Sequence, residues 1–171
     1  MFDPKQHYEN SSLRENIVEH LFIGHALKRL WTKGITTAEI LRSEFDAYGY
    51  DLVISYGNLV RHVQLKSGTS LKTISVSNHL AQKPSGCVVF IGLRENLEMG
   101  PYFLFSAEPG EGLSIDGFQP TKRTTPKSDG LKPLRTNHRN VPPSKFKKHE
   151  NLTSLMSALL GLNMEIATDE Q

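Results

Sequence analysis

Two short apolar runs separated by a tight-turn signal constrain this chain more than any other feature. Tyr50–Ser55 (YDLVIS) and Leu59–Leu65 (LVRHVQL) are rich in apolar and β-branched residues, and Tyr56-Gly57-Asn58 supplies a turn, so the stretch reads as a β-hairpin. A residue opening the first strand then lies opposite one closing the second, which sets Asp51 against Gln64 to Lys66. Side chains of i and i+2 share a face of a strand, so Gln64 and Lys66 project together while Leu65 turns into the core.

An aspartate, an amide oxygen and a lysine at the edge of an apolar sheet are costly to desolvate without a ligand. A hard cation satisfies them. Mg2+ (or Mn2+) takes oxygen ligands, commonly one or two carboxylates with waters and phosphate oxygens. Asp51, the Gln64 side-chain oxygen and the Leu65 carbonyl suit it. Lys66 beside it would orient or help deprotonate a water, or offset charge building on a phosphate. The same residues also fit an ordinary hairpin salt-bridged from Asp51 to Lys66, and the hairpin alone does not choose.

The run Glu44-Phe45-Asp46-Ala47-Tyr48-Gly49-Tyr50-Asp51-Leu52-Val53-Ile54, followed by Val63-Gln64-Leu65-Lys66-Ser67, resembles the core of the PD-(D/E)xK nuclease superfamily. It is nearest to the branch with glutamine in the third motif, as in Mrr-like restriction endonucleases. The resemblance covers roughly residues 12 to 92. It implies a restriction-endonuclease-like core, Mg2+-dependent cleavage of DNA, and a glutamate from a helix preceding the hairpin. That helix is Ser12–Thr32, and Glu19, with Glu15 as the alternative one turn earlier, would supply the carboxylate. Two departures stand out: Gln64 replaces the usual acid, and no proline precedes Asp51.

With 171 residues the chain suits one domain. Hydrophobic residues are 37 % of it, yet no run approaches the length that spans a bilayer. The polar start Met1-Phe2-Asp3-Pro4 lacks a basic-then-apolar export pattern, which gives the expectation of a cytoplasmic location. The single Cys87 lies within Cys87-Val88-Val89-Phe90-Ile91 and reads as a core residue. His20, His25, His62 and His79 show no zinc-ligand spacing.

Along the chain, Ser11 or Ser12 caps a helix with Leu13, Ile17, Leu21, Leu27 and Leu30 as its apolar face, widened by Val18, Phe22 and Trp31, and Gly34 ends it. Residues 35 to 45 read as a short helix or a first strand. Thr73–Gln82 reads as a short helix stopped by Lys83-Pro84-Ser85-Gly86. Cys87–Leu93 suits a strand buried on both faces, with Tyr102–Ser106 as its neighbour. The last helix is Leu152–Leu160, capped by Asn151, facing inward through Leu152, Leu155, Met156 and Leu159, and ended by Gly161. The expected class is α/β, a central mixed β-sheet flanked by α-helices.

Residues 121 to 149 hold nine of the chain's twenty Lys and Arg against one acid, Asp129. They are Lys122, Arg123, Lys127, Lys132, Arg135, Arg139, Lys145, Lys147 and Lys148. Prolines at 126, 133, 142 and 143 argue for a loop, and the charge for contact with a phosphate backbone, chiefly through Arg135, Arg139, Lys145 and Lys147. A solvated loop is the alternative. Glu44 and Asp46 are candidates for a second metal, and Ser67, Lys72 and His79 for facing DNA. Taken together the sequence points to a metal-dependent endodeoxyribonuclease, in bacterial or mobile-element defence or DNA processing. A homodimer or a partner protein would supply specificity. The alternative is a nuclease-fold module that binds nucleic acid or a protein without cutting, a reading Gln64 favours. RNA as substrate stays open.

Overall fold

The computed structural model describes residues 4–45, 48–126, 128 and 130–164, so Met1–Asp3, Asp46, Lys127 and Asp129 lie outside the described residues. Helices α1 (Pro4–Glu9) and α2 (Ser11–Thr32) lead into strands β1 (Glu39–Arg42), β2 (Leu52–Tyr56), β3 (Leu59–Gly68) and β4 (Ile74–Ser77). The one-turn α3 (Asn78–Ala81) precedes β5 (Cys87–Leu93), β6 (Met99–Ser106), β7 (Pro120–Lys122) and β8 (Leu134–Val141). A 3-10 turn (Pro143–Lys145), β9 (Lys147–His149) and α4 (Leu152–Leu160) complete the order.

The hairpin forms as its residues dictate. β2 and β3 pair antiparallel from Leu52 with Val63 to Tyr56 with Leu59, and Gly57 takes the positive φ, +57°, that a two-residue hairpin turn needs. β3 then runs parallel to β5, which crosses the centre of a six-stranded mixed sheet ordered β1-β2-β3-β5-β6-β9. All seven residues of β5 are buried, because both faces of this strand are covered. On one face, α2 and α4 pack Phe22, Leu30, Leu155 and Leu159 against Leu52, Ile54, Val63, Val89 and Ile91. On the other, a three-stranded sheet, β4-β8-β7, packs Val76 and Val141 against Val88 and Phe90, joined by Ile115 from the connection between β6 and β7. The architecture is α/β, with a central mixed sheet flanked by helices.

Several local expectations change. α2 buries Val18, Phe22, Ala26 and Leu30, a strict every-fourth-residue stripe, and leaves Leu13, Ile17, Leu27 and Trp31 exposed. The helix has two apolar stripes, and the sheet takes the one that includes the small Ala26, which allows close approach. Neither serine caps α2. Asn10 holds that position without a side-chain cap bond, because α1 feeds directly into the helix and Arg14 N–H already bonds Asn10 O. Residues 39–42 form the strand β1, paired with β2.

The helix expected at Thr73–Gln82 is instead β4 followed by the single turn α3. Ile74 and Val76 point into the second core and β8 pairs along them, while Ser77 caps α3 by accepting from His79 N–H. The segment expected as a basic loop carries β7, β8, the 3-10 turn and β9, because its backbone pairs with β4 and β6, which lie far away in sequence. At α4 the strand-to-helix signals work as read: Asn151 accepts from Ser154 N–H and Gly161 closes the helix at φ +65°.

Candidate active site

Asp51 is fixed by backbone bonds on both sides. Its N–H donates to Val63 O at 2.9 Å and its C=O accepts from Ser43 N–H at 2.8 Å. The turn before it passes through Gly49 at φ +73°, where an added Cβ would approach Ser77 Cβ to 2.9 Å, so only glycine fits there. Beyond Leu52, β2 leaves β3, and the Asp51 side chain takes the place of the missing strand partner: Oδ2 accepts from Leu65 N–H at 2.6 Å. N–H and C=O of one residue point to the same edge of a strand, so the Leu65 carbonyl opens toward Asp51 as well.

A cleft of about 220 Å³ lies at this divergence, lined by Asp51, Leu65, Lys66 and Ser67 from the strands and by Glu15 and Glu19 from α2. Residues distant in sequence thus meet at one cleft, Ser67 among them. Glu19 reaches the cleft already engaged, its carboxylate accepting from Arg42 Nε. Arg42 also stands 3.4 Å from His20 Nε2, and His20 Nδ1 lies 2.7 Å from Asn16 O.

Gln64 does not line the cleft. The register sets Gln64 beside Val88 and Lys66 beside Phe90, two residues of the second core, whereas Leu65 pairs with Val89 on the α2 side. Gln64 and Lys66 thus share a face, but the Gln64 Oε1 is buried there with no hydrogen-bond partner among the described residues. Glu44 is exposed, and Asp46 lies outside the described residues. His79 stacks near Tyr48, with ring centroids 6.2 Å apart, and Lys72 is exposed.

The donor set is one of hard oxygens: the carboxylates of Asp51, Glu19 and Glu15, and the Leu65 carbonyl. Among the described residues no three of His, Cys, Asp and Glu stand close enough together to share an ion.

The basic segment resolves into separate places. A second cleft, of about 580 Å³, lies along the small sheet and is lined by Lys122, Arg123 and Arg135 with Ser75, Thr121 and Thr125. Arg139 does not join it. Its Nη1 folds back onto Thr136 O at 2.6 Å and His138 O at 3.2 Å. Lys145 sits over the Phe118 ring at 6.0 Å, and Lys147 lies on β9 at the edge of the main sheet. Of the four cations singled out from sequence, only Arg135 lines this cleft.

Sequence reasoning missed Arg61. It is 4 % exposed and donates from Nε to Leu159 O at 2.7 Å and from Nη1 to Ala107 O at 2.8 Å, tying β3 to the end of α4 and to the chain after β6. Its only signal was a charge inside an apolar strand run. Cys87 is buried, as expected. Burial pushes its thiol up to about 12, with the Arg61 guanidinium pulling the other way, so it is inert as a nucleophile. No helix among the described residues is long and apolar enough to cross a membrane. Comparison with protein-family models and with curated protein sequences returns no match, so any family assignment rests on the chain's own residues.

Proposed function

We propose that this chain is a metal-dependent nuclease that hydrolyses DNA phosphodiester bonds, in keeping with its resemblance to the PD-(D/E)xK superfamily. The observation that carries the reading is the cleft where β2 and β3 part, because Asp51, Leu65, Lys66 and Glu19 line it together. Asp51 and the Leu65 carbonyl would hold Mg2+ or Mn2+, with Glu19 across the cleft. When bound, such an ion polarises a phosphoryl oxygen and lowers the pKa of a coordinated water. Lys66 offsets charge on the phosphate as it builds in the transition state, and Asp51 is held still for its task by its backbone bonds to Ser43, just after β1, and to Val63 of β3. The cations of the second cleft, Lys122, Arg123 and Arg135, supply non-specific contact with the phosphate backbone.

One observation favours a second reading, a nucleic-acid-binding module that does not cut. The Glu19 carboxylate is taken by Arg42 and the Gln64 oxygen is buried away from the cleft, which leaves Asp51 with little carboxylate support. The test is calorimetric titration with Mn2+ alongside cleavage of supercoiled plasmid. The parent is expected to bind Mn2+ and nick DNA, and Asp51→Asn, which keeps an oxygen for Leu65 N–H, to lose both while remaining folded. Unchanged affinity in Asp51→Asn removes Asp51 from the site. A parent that binds DNA but neither Mn2+ nor cleaves selects the second reading.

A further inference from the structure

The stripe that α2 leaves uncovered has a definite order. Leu13, Ile17, His20, Gly24, Leu27 and Trp31 follow one another in steps of four, three, four, three and four residues, the spacing of the seam in a two-helix coiled coil. All six are exposed, and Leu13, Ile17, Leu27 and Trp31 retain 58 %, 39 %, 44 % and 74 % of their full accessibility. The stripe runs about 27 Å along the helix. It lies opposite the face that packs Val18, Phe22 and Ala26 into the core, so the core leaves its apolar side chains uncovered, while His20 reaches Arg42 of β1.

The seam is also complementary to its own reverse. Read from both ends, Leu13 answers Trp31, Ile17 answers Leu27, and the bulky His20 answers Gly24, where an added Cβ would meet nothing within 4 Å. We propose that α2 pairs antiparallel with α2 of a second copy of this chain about a two-fold axis. Ile17 then packs on the partner's Leu27, and His20 fits over the partner's Gly24. Leu13 meets the partner's Trp31 beside an apolar depression of about 100 Å³ between Leu13, Ile17 and Leu97, which receives that indole.

The four apolar side chains expose on the order of 400–500 Å² per copy, the size at which a patch on a monomer is commonly a contact surface. Two copies together reach the roughly 1,000 Å² that separates specific interfaces from incidental contacts. A second copy is the occupant because a self-complementary order is what a two-fold interface requires. This inference does not depend on the nuclease reading.

Sedimentation equilibrium of the full chain, from low micromolar to several hundred micromolar, tests the pairing. Trp31 is the chain's single tryptophan, so its emission should move to the blue over the same concentration range. Ile17→Glu and Gly24→Arg should both give a monomer throughout, whereas Leu41→Glu, at an exposed site on β1, should leave the self-association unchanged. For direction, mild oxidation should cross-link Ile17→Cys/Leu27→Cys into a covalent dimer but neither single variant, because only an antiparallel pair brings the two positions within disulfide reach. Cys87 is buried and does not compete. A constant monomer mass to the highest concentration overturns the proposal and leaves the stripe to some other partner. Cross-linking of the single variants as readily as the double one overturns the antiparallel pairing.

Discussion

Replacing Arg61 with methionine removes a buried cation while roughly keeping its length. Two well-formed charge-assisted hydrogen bonds disappear, to Leu159 O and Ala107 O; the third contact, to Ser85 O at 3.5 Å, is at the limit of a bond and is not counted. Net of the exchange with water, hydrogen bonds to charged groups contribute about 1.5–3 kcal/mol each, or about 3–6 kcal/mol for the two. The methionine recovers about 1.5–3 kcal/mol through burial of its side chain. A net loss of about 1.5–3 kcal/mol follows. For a chain of this size that lowers Tm by about 3–12 °C. Leu159 O belongs to the last turn of α4, where the helix dipole favours a cation, so Arg61→Lys should lose less than the methionine variant. Urea unfolding followed by circular dichroism measures both variants. A loss below about 0.5 kcal/mol in Arg61→Met would show that water or a rearranged neighbour satisfies those carbonyls, and the account of Arg61 as a buried clasp would fail.

Lys66→Ala should keep DNA binding within a few fold while cleavage falls by roughly a hundredfold to ten-thousandfold, as expected of a group that meets charge only in the transition state; single-turnover cleavage measured beside anisotropy separates the two. Neutralising Lys122, Arg123 and Arg135 together should flatten the plot of log K against log salt by about 2.7, since each phosphate contact contributes about 0.9. An unchanged slope would return this cleft to solvent. Burial and then Lys147 hold the His149 imidazole below its usual value of 6.5, and its Nε2 is buried without a partner among the described residues. The unfolded chain therefore takes up that proton first: the stability this histidine contributes is complete above about pH 6.5 and is lost as pH falls through the lower folded value. His149→Phe should lose less stability than the parent between pH 7.5 and 5 in denaturant titrations, and parallel profiles would refute the assignment.

The features legible in the chain itself are those set by neighbours within a few residues. Gly57 with Asn58 makes the hairpin turn, the all-apolar run from Cys87 makes a strand covered on both faces, and Asn151 with Gly161 bounds α4 to the residue. The convergence of Asp51 with Leu65 and Lys66 was equally legible, because hairpin register is counted from its turn. What the sequence left open depends on partners far along the chain. Thr73–Gln82 has helical character only in its second half: Ile74 and Val76 are β-branched, and pairing of Ile74–Ser77 with β8, with burial of both side chains, makes the first half a strand. The same pairing turns proline-bearing basic segments into strands.

Tertiary structure alone decides which side chains are available for chemistry. Sequence gives α2 two apolar stripes, and only the position of the sheet determines that the stripe of Val18, Phe22, Ala26 and Leu30 is buried while Leu13, Ile17, Leu27 and Trp31 are left exposed. Sequence gives the cleft two helix glutamates, and only the pairing of β1 with β2 brings Arg42 within reach of Glu19. Gln64 is an oxygen donor in any reading of the chain, but the parallel register of β3 on β5 sets it beside Val88, where its Oε1 is buried, while Lys66 two residues on stays exposed. The physical reason is common to all three: periodicity and turn chemistry are local and are fixed by the order of residues, whereas charge partners and solvent exposure are set by surfaces that meet only after the chain has folded.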